Sequence, residues 1–378
     1  MVSPYYTDEH EAFRRTLRRF VSEKIAPFAD AWDEAAEFPR QLYVDAAEIG
    51  LLGMGFPEAL GGVEGDPFGV LIGGEELARG GSGGVSAGLM SHTIALPPIV
   101  ALGSDELKAR VVPPVLAGEK IAALAITEPS GGSDVARMKT TAKKDGDHYV
   151  LNGSKTFITS GMRADFVTVA ARTGDEGMGG ISIFVVDADT PGFTRTPREK
   201  MGWWASDTAT LYFDDCRVPA ANLVGDENAG FMGIMLNFNN ERLSLAAGAY
   251  GFAQVCFEEA LAWAKDRETF GKPLIGHQVI RHKLVDMAQA LHATKAFLEQ
   301  IAYAMQQGES PVGPICLLKN QATQTMELCA KEAVQILGGA GYLRGCKSER
   351  IYRETKVMAI GGGAEEIMKE LAARQLGW

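Results

Sequence analysis

Apolar residues along this chain follow a helical period, then alternate, then return to the helical period. Phe13, Leu17, Phe20, Val21 and Ile25 form one stripe, and Pro27 follows its end. Thr7 stands before that stripe as a cap, with Asp8 and Glu9 in the first turn, where the helix dipole favours acids. A second helix is predicted over 40–51, ending near Gly50 and Gly53, with others over 67–80, 86–101 and 105–117. From about 121 the period changes. Runs at 121–126, 137–142, 148–151, 155–159, 166–171, 181–186 and 208–213 read as strands, with Asp145-Gly146 as a tight hairpin dipeptide. From about 228 the helical period resumes, with long helices predicted from 231 toward 264, over 279–305 and over 313–337. Gly308 to Pro311 break the last two apart, and a shorter helix starts near Glu365. The predicted class is α+β: an N-terminal helical domain (1–120), a middle β-barrel-like domain (121–228) and a C-terminal four-helix bundle (229–378).

Composition narrows the function classes. A length of 378 residues suits two or three domains, and 46% hydrophobic with 22% charged residues is ordinary for a globular chain. The formal net charge of −11 argues against nucleic acid as the main partner, since phosphate binding needs a basic footprint. Cys216, Cys256, Cys316, Cys329 and Cys346 are odd in number and lack a C-x-x-C spacing. We therefore expect neither a zinc site nor a disulfide framework, and a reducing compartment. The N-terminus shows no leader pattern and no run approaches a membrane span, so a cytoplasmic location is expected; a mature mitochondrial-matrix form fits the same features.

The stretch with most chemical content follows the first predicted strand. Thr127, Glu128, Pro129, Ser130, Gly131, Gly132, Ser133 and Asp134 carry almost no hydrophobic side chain. Paired glycines let main chain pass close to a bound group, and hydroxyls with free N–H groups suit a polar heteroaromatic ring. Most such runs are surface turns, and the stretch alone does not decide between the two. No G-x-G-x-x-G follows a strand and opens a helix, which argues against a Rossmann dinucleotide site.

Four stretches, taken together and in order, resemble the acyl-CoA dehydrogenase family. They are Ala125-Ile-Thr-Glu-Pro-Ser-Gly-Gly-Ser-Asp-Val-Ala136, Asn152-Gly-Ser-Lys-Thr-Phe-Ile-Thr159, Asp266-Arg-Glu-Thr-Phe-Gly-Lys272 and Gln335-Ile-Leu-Gly-Gly-Ala-Gly-Tyr342, the last continuing through Glu349 to Lys356. The resemblance covers essentially the whole chain and implies FAD, an acyl-CoA substrate, an electron-transfer flavoprotein as partner, and a homotetramer built of two dimers. Many members carry a catalytic Glu in the loop where this chain has Gly362. The long-chain and isovaleryl-CoA branch instead carries it in a Glu-Arg pair early in the last domain, and Glu241-Arg242 matches that pair. Gly345 replaces a usual acidic residue, and Ala364 a usual Thr near the flavin.

The resemblance also implies the contacts. Leu124, Ala125, Ile126, Thr127, Glu128, Gly131, Gly132 and Ser133 line the isoalloxazine, Ser133 also facing the CoA portion. Phe157, Ile158 and Thr159 match the family's aromatic-Ile-Thr, the aromatic packing on the flavin. Arg267, Phe270, Gln278, Gln335, Ile336, Leu337, Gly338 and Gly339 match the pyrophosphate and adenine end, some reaching a neighbouring subunit's FAD. Ala364, Glu365 and Glu366 flank the flavin. Asn239 and Arg242 match substrate contacts near the CoA arm. The Gly363 N–H, with the flavin ribityl hydroxyl, is the expected donor to the thioester carbonyl. A Glu-Arg pair on an arbitrary helix is usually solvated; here the missing loop carboxylate singles out Glu241, with Glu365 and Glu366 as rivals. Three alternatives stay open: an oxidase, a flavin monooxygenase, and a non-catalytic binding protein on the same scaffold. Trp203, Trp204 and the small residues from Ala246 to Ala249 either shape the acyl pocket or simply pack.

Overall fold

The computed structural model describes residues 3–378. Helices come first: α1 (Asp8–Phe20), α2 (Ala29–Ala35), α3 (Gln41–Glu48), α4 (Pro67–Ala78), α5 (Gly83–Leu89), α6 (His92–Ala95), α7 (Pro97–Leu102) and α8 (Asp105–Leu116). Thr7 caps α1 as expected: its hydroxyl accepts from the His10 N–H, and its own N–H donates to His10 Nδ1. The single helix expected over 86–101 is three short ones. Pro97 opens α7 at its first turn, where proline's missing N–H and its restraint on Leu96 stop the helix before it.

The strands are β1 (Ala122–Ala125), β2 (Thr141–Asp145), β3 (His148–Thr159), β4 (Phe166–Arg172), β5 (Ile181–Asp187), β6 (Phe193–Pro197), β7 (Thr208–Pro219) and β8 (Leu223–Val224). They form one sheet in the order β6-β7-β3-β2-β4-β5-β8, with β1 parallel to β4. A single pair, Thr141 with Arg172, links β2 to β4, so the two halves of the sheet meet at one narrow join. Strands β4 and β5 are buried on both faces, hence their continuous apolar runs. Val167, Val169, Phe184 and Val186 share the core reached by α1 and α3, while Ala170, Ile183 and Val185 pack against α7 and α8. The expected strand at 137–142 is mostly not a strand. The Lys139 and Thr140 N–H groups donate to the Glu128 carboxylate instead of a neighbouring strand. Strands β6 and β8 have no clear alternating signature in the sequence.

The chain then returns to helices: α9 (Gly230–Leu236), α10 (Phe238–Asp266), α11 (Gln278–Gln306), α12 (Val312–Leu337), α13 (Gly339–Tyr342), α14 (Lys347–Ile360) and α15 (Glu365–Gln375). A hairpin of β9 (Glu268–Thr269) and β10 (Lys272–Pro273) joins α10 to α11. The expected long helix from 231 breaks at Asn237, whose side-chain amide donates to Thr93 O at 2.9 Å. Helices α10, α11, α12 and α14 form the bundle, and α12 touches the other three as well as α15. Helix α14 has no predicted counterpart.

Small residues bring α10 onto α4. A Cβ on Gly74 would lie 2.7 Å from the Ala247 side chain, and one on Gly251 would lie 2.7 Å from that of Ala78. The stripe from Ala246 to Ala249 therefore contributes to a close helix crossing. The guanidinium groups of Arg344 and Arg353 both lie over the Trp204 ring, at 4.5 and 4.0 Å from its centroid, and so tie the β6–β7 connection to α14. Among the described residues no single helix is long and apolar enough to cross a membrane.

Candidate active site

The glycine stretch leaves β1 and closes at once on itself. Glu128 N donates to Gly131 O and Gly131 N to Glu128 O, at 3.2 and 3.1 Å. Thr156 N donates to Thr127 O at 2.8 Å, which fastens this turn to β3. The Glu128 carboxylate points inward. It accepts from the Lys139 N–H (2.6 Å), the Thr140 N–H (2.9 Å) and Lys155 Nζ (2.9 Å), and Lys155 also donates to Ile126 O at 2.9 Å. Burial pulls the Lys155 ammonium down to about 8 while Glu128 opposes that shift. Burial alone would raise Glu128, but Lys155 and the N–H donors hold it below the usual carboxylate range. Glu128 thus gives the turn its anchor, and its carboxylate is already committed. Lys155→Met strands that carboxylate without its cation. We expect a loss of about 3–5 kcal/mol, read as a lower urea midpoint at unchanged slope; a midpoint equal to wild type would contradict the anchoring role.

The turn and the strand beside it present a surface suited to a flat ring. Gly131, Gly132 and Ser133 are exposed, and the N–H groups of Gly132 and Ser133 take no part in hydrogen bonds among the described residues. A cleft of ≈ 210 Å³ lies beside them, lined by Ile126, Thr127, Ser130, Gly131, Asp134, Val135, Arg137, Met138 and Lys139. Phe157 sits in the left-handed region (φ 61°) on an irregularity between Lys155 and Ile158, and its ring is 71% exposed. A bulky aromatic held at positive φ and left largely uncovered is a costly arrangement of the kind found at binding sites. Leu124 and Ile126 are half-buried, Ala125 and Ile158 are buried, and Thr159 is half-buried. This donor set and shelf fit a flavin.

Glu241 stands in the first turn of α10, facing the loop between α14 and α15. A Cβ on Gly362 would lie 3.5 Å from Glu241 Oε1 and 2.3 Å from Leu245 Cδ1. Leu245 therefore occupies the room a Cβ at 362 would need, and Glu241 Oε1 lies in contact with that position. Gly362 and Gly363 have φ of 65° and 111°, which glycine adopts freely. Burial raises the Glu241 carboxyl above its ordinary value, and Arg242 and Lys319 partly offset this. Lys319 is fully buried on α12 and donates to Ala359 O (3.0 Å) and Gly363 O (2.9 Å). Asn320 donates to Glu365 O at 3.0 Å. Neither residue is singled out by the sequence. The available signal is a lysine sharing the apolar face of Ile315, Ala322 and Met326.

The rivals of Glu241 are engaged or exposed. The Glu365 carboxylate accepts from Gln324 (2.6 Å) and pairs with Lys369 (2.7 Å), which holds it below the usual range. Glu366 is exposed, and Ala364 caps α15 with no side-chain hydrogen bond. Arg242 is buried with its guanidinium 5.2 Å from the Phe238 ring centroid, and Asn239 donates to Ser310 Oγ at 3.0 Å.

A second group lies at the surface, at the ends of α10 and α12. Arg267, Gln278, Gln335, Gly338 and Gly339 are exposed, and Arg267 has no ion-pair partner among the described residues. Phe270, at the tip of the β9–β10 hairpin, is 97% exposed with φ 51°. Ile336 and Leu337 differ from the rest: their side chains are buried in the bundle core, so any contact they make with a ligand is through main chain.

Comparison with known proteins gives this geometry a family. The models for the N-terminal, middle and C-terminal domains of acyl-CoA dehydrogenases match residues 7–119, 123–216 and 228–377. The mitochondrial long-chain specific acyl-CoA dehydrogenase of Sus scrofa is 37% identical over 98% of this chain and 87% of its own length. A crystal structure of a putative acyl-CoA dehydrogenase from Mycobacterium smegmatis superposes with a TM-score of 0.97 at 47% identity, covering 99% of each chain. A glutaryl-CoA dehydrogenase from the same species, solved in complex with FADH2, superposes with a TM-score of 0.92 at 28% identity, covering 98% of this chain and 95% of that one. With three domain models in order along nearly its whole length, this chain belongs to the acyl-CoA dehydrogenase family of flavin-dependent oxidoreductases.

Proposed function

We propose that this protein carries out the FAD-dependent α,β-dehydrogenation of an acyl-CoA thioester to the trans-2-enoyl-CoA, with Glu241 as the base. The observation that carries the proposal is the position of Glu241 Oε1, 3.5 Å from where a Cβ on Gly362 would lie, beside the loop that lacks its usual carboxylate. FAD, when bound, supplies the acceptor for the β-hydride. The cofactor set is the turn from Leu124 to Ser133 with Phe157, Ile158 and Thr159 at the ring. Arg267, Phe270, Gln278, Gln335 to Gly339, and Ala364 to Glu366 complete it. Arg267 suits phosphate oxygens because its planar fork can bind two at once.

The chain's own groups divide the remaining work. The Cα–H of a thioester is a weak acid, so its removal requires a desolvated carboxylate and a polarised carbonyl together. Glu241 takes the α-proton, and the bonding pair it releases forms the new double bond as the hydride leaves Cβ. The Gly363 N–H stabilises charge on the thioester oxygen. Asn239, Arg242 and Ser133 hold the CoA arm. Electrons leave to an electron-transfer flavoprotein. The exposed Phe270 and Tyr342, at 97% and 85%, support a homotetramer built of two dimers in which such groups are covered by neighbours.

A panel of acyl-CoA thioesters, mixed anaerobically with the FAD-loaded protein, tests this reading. At least one is expected to bleach the flavin fully, and the fastest identifies the acyl class; a panel with no bleaching would overturn the proposal. Oxygen consumption matching thioester turnover would assign an oxidase instead. The pH dependence has a definite sign. Glu241 works ionised and burial raises its pKa. Bleaching is thus expected to fall, as pH is lowered, with an acid limb above the ordinary Glu value of about 4.3; a limb at or below that value would exclude a desolvated base.

A further inference from the structure

We propose that Lys319 is the positioning residue of this site, fixing the carbonyls on both sides of the glycine loop and acting as a second cation on Glu241. The Gly361-Gly362-Gly363 run has no side chain with which to hold itself. Gly361 N donates to Val357 O at 2.7 Å, and beyond that bond the run is restrained from α12, where a single fully buried ammonium donates to Ala359 O at 3.0 Å and Gly363 O at 2.9 Å. Ala359 lies in the last turn of α14, whose unpaired carbonyls favour a cation. Gly363 carries the N–H assigned to the thioester oxygen. One nitrogen therefore spans the segment on which carbonyl polarisation depends.

The same charge holds the loop beside the base: Lys319 bonds Gly363 O, and a Cβ on the adjoining Gly362 would lie 3.5 Å from Glu241 Oε1. Glu241 and Arg242 act on Lys319 from α10, Glu365 from α15 and Cys316 from its own helix. Burial and Arg242 pull Lys319 down to about 8, against Glu241 and Glu365. Below that pH it is charged, and with Arg242 it opposes the rise that burial imposes on Glu241. Removing the charge should therefore move the acid limb of bleaching upward. This electrostatic half rests on Glu241 being the base, whereas the tether half does not.

The test uses the full-length FAD-loaded protein, the thioester that bleaches wild type fastest, and hydrogen exchange by mass spectrometry over 359–364. Lys319→Gln is expected to raise the acid limb by about one pH unit. It should also speed exchange of the loop amides by about tenfold, the worth of one charged hydrogen bond. Lys319→Arg keeps the charge, so the limb should stay in place. Its larger planar head cannot reproduce both bonds in a closed space, and bleaching should slow by about tenfold. An unmoved limb in Lys319→Gln overturns the electrostatic half, and unchanged exchange overturns the tether. If Lys319→Gln does not fold, Lys319→Arg decides alone: a wild-type rate or a displaced limb overturns the proposal. Glu241→Gln bleaching at the wild-type rate would refute Glu241 as base, while loop exchange would still decide the tether.

Discussion

Glu241→Gln is expected to leave the protein yellow and to slow anaerobic bleaching by acyl-CoA by about 10³-fold, within the range a positioned general base contributes. The substitution is close to isosteric. The carboxylate accepts no hydrogen bond among the described residues, so its loss disturbs little structure. Burial has already raised its pKa, which means the ionised form is held against desolvation. Replacing it by a neutral amide should leave the urea midpoint unchanged or slightly higher. Glu365 is paired with Lys369 and Glu128 with Lys155, and Glu366 is exposed, so none of these three described carboxylates is a desolvated substitute. Bleaching within tenfold of wild type would move the base elsewhere.

Gly363→Ala is expected to slow bleaching by about 10²-fold or more, the cost of misdirecting one carbonyl donor. Gly363 has φ 111°, where L-residues are strained, and an added Cβ would lie 2.3 Å from Met368 Cε. Met368 Cε is the end of a flexible side chain and can shift, so the positive φ is what an Ala cannot keep without strain. The peptide must rotate, and the N–H turns with it. Glu241 is untouched, so the acid limb should keep its wild-type position. That separates donor loss from damage to the base. A rate equal to wild type would show that the Gly363 N–H does not serve the carbonyl.

The order of helices, sheet and helices was legible because the hydrophobic period changes near 121 and again near 228. Most of what escaped was tertiary. The break before Pro97 is local chemistry overridden by an apolar run long enough to read as one helix. The break at Asn237 depends on a bond to Thr93, 144 positions away. The loss of a strand at 137–142 depends on Glu128 claiming two N–H groups, which no period reveals. At the site, Glu241 could be picked out because three glycines stand where a carboxylate is usual, and the structure brings its oxygen over that gap. Lys155 and Lys319 could not, because a buried lysine reads as a surface residue until its partners are known. The groups at 267–278 and 335–339 rest on family likeness, and the structure places most of them at the surface of a single chain.

The central claim is that the Glu241 carboxylate faces the α-carbon of a bound thioester. A crystal structure of Glu241→Gln loaded with FAD and its fastest thioester measures this directly, because the variant should hold the substrate unreacted. The expected result is the substituted amide's oxygen at position 241 within about 3–3.5 Å of Cα, near-attack range, with the thioester oxygen on the Gly363 N–H. A Cα lying nearer to Glu365 or Glu366, with position 241 turned away from it, would contradict the account.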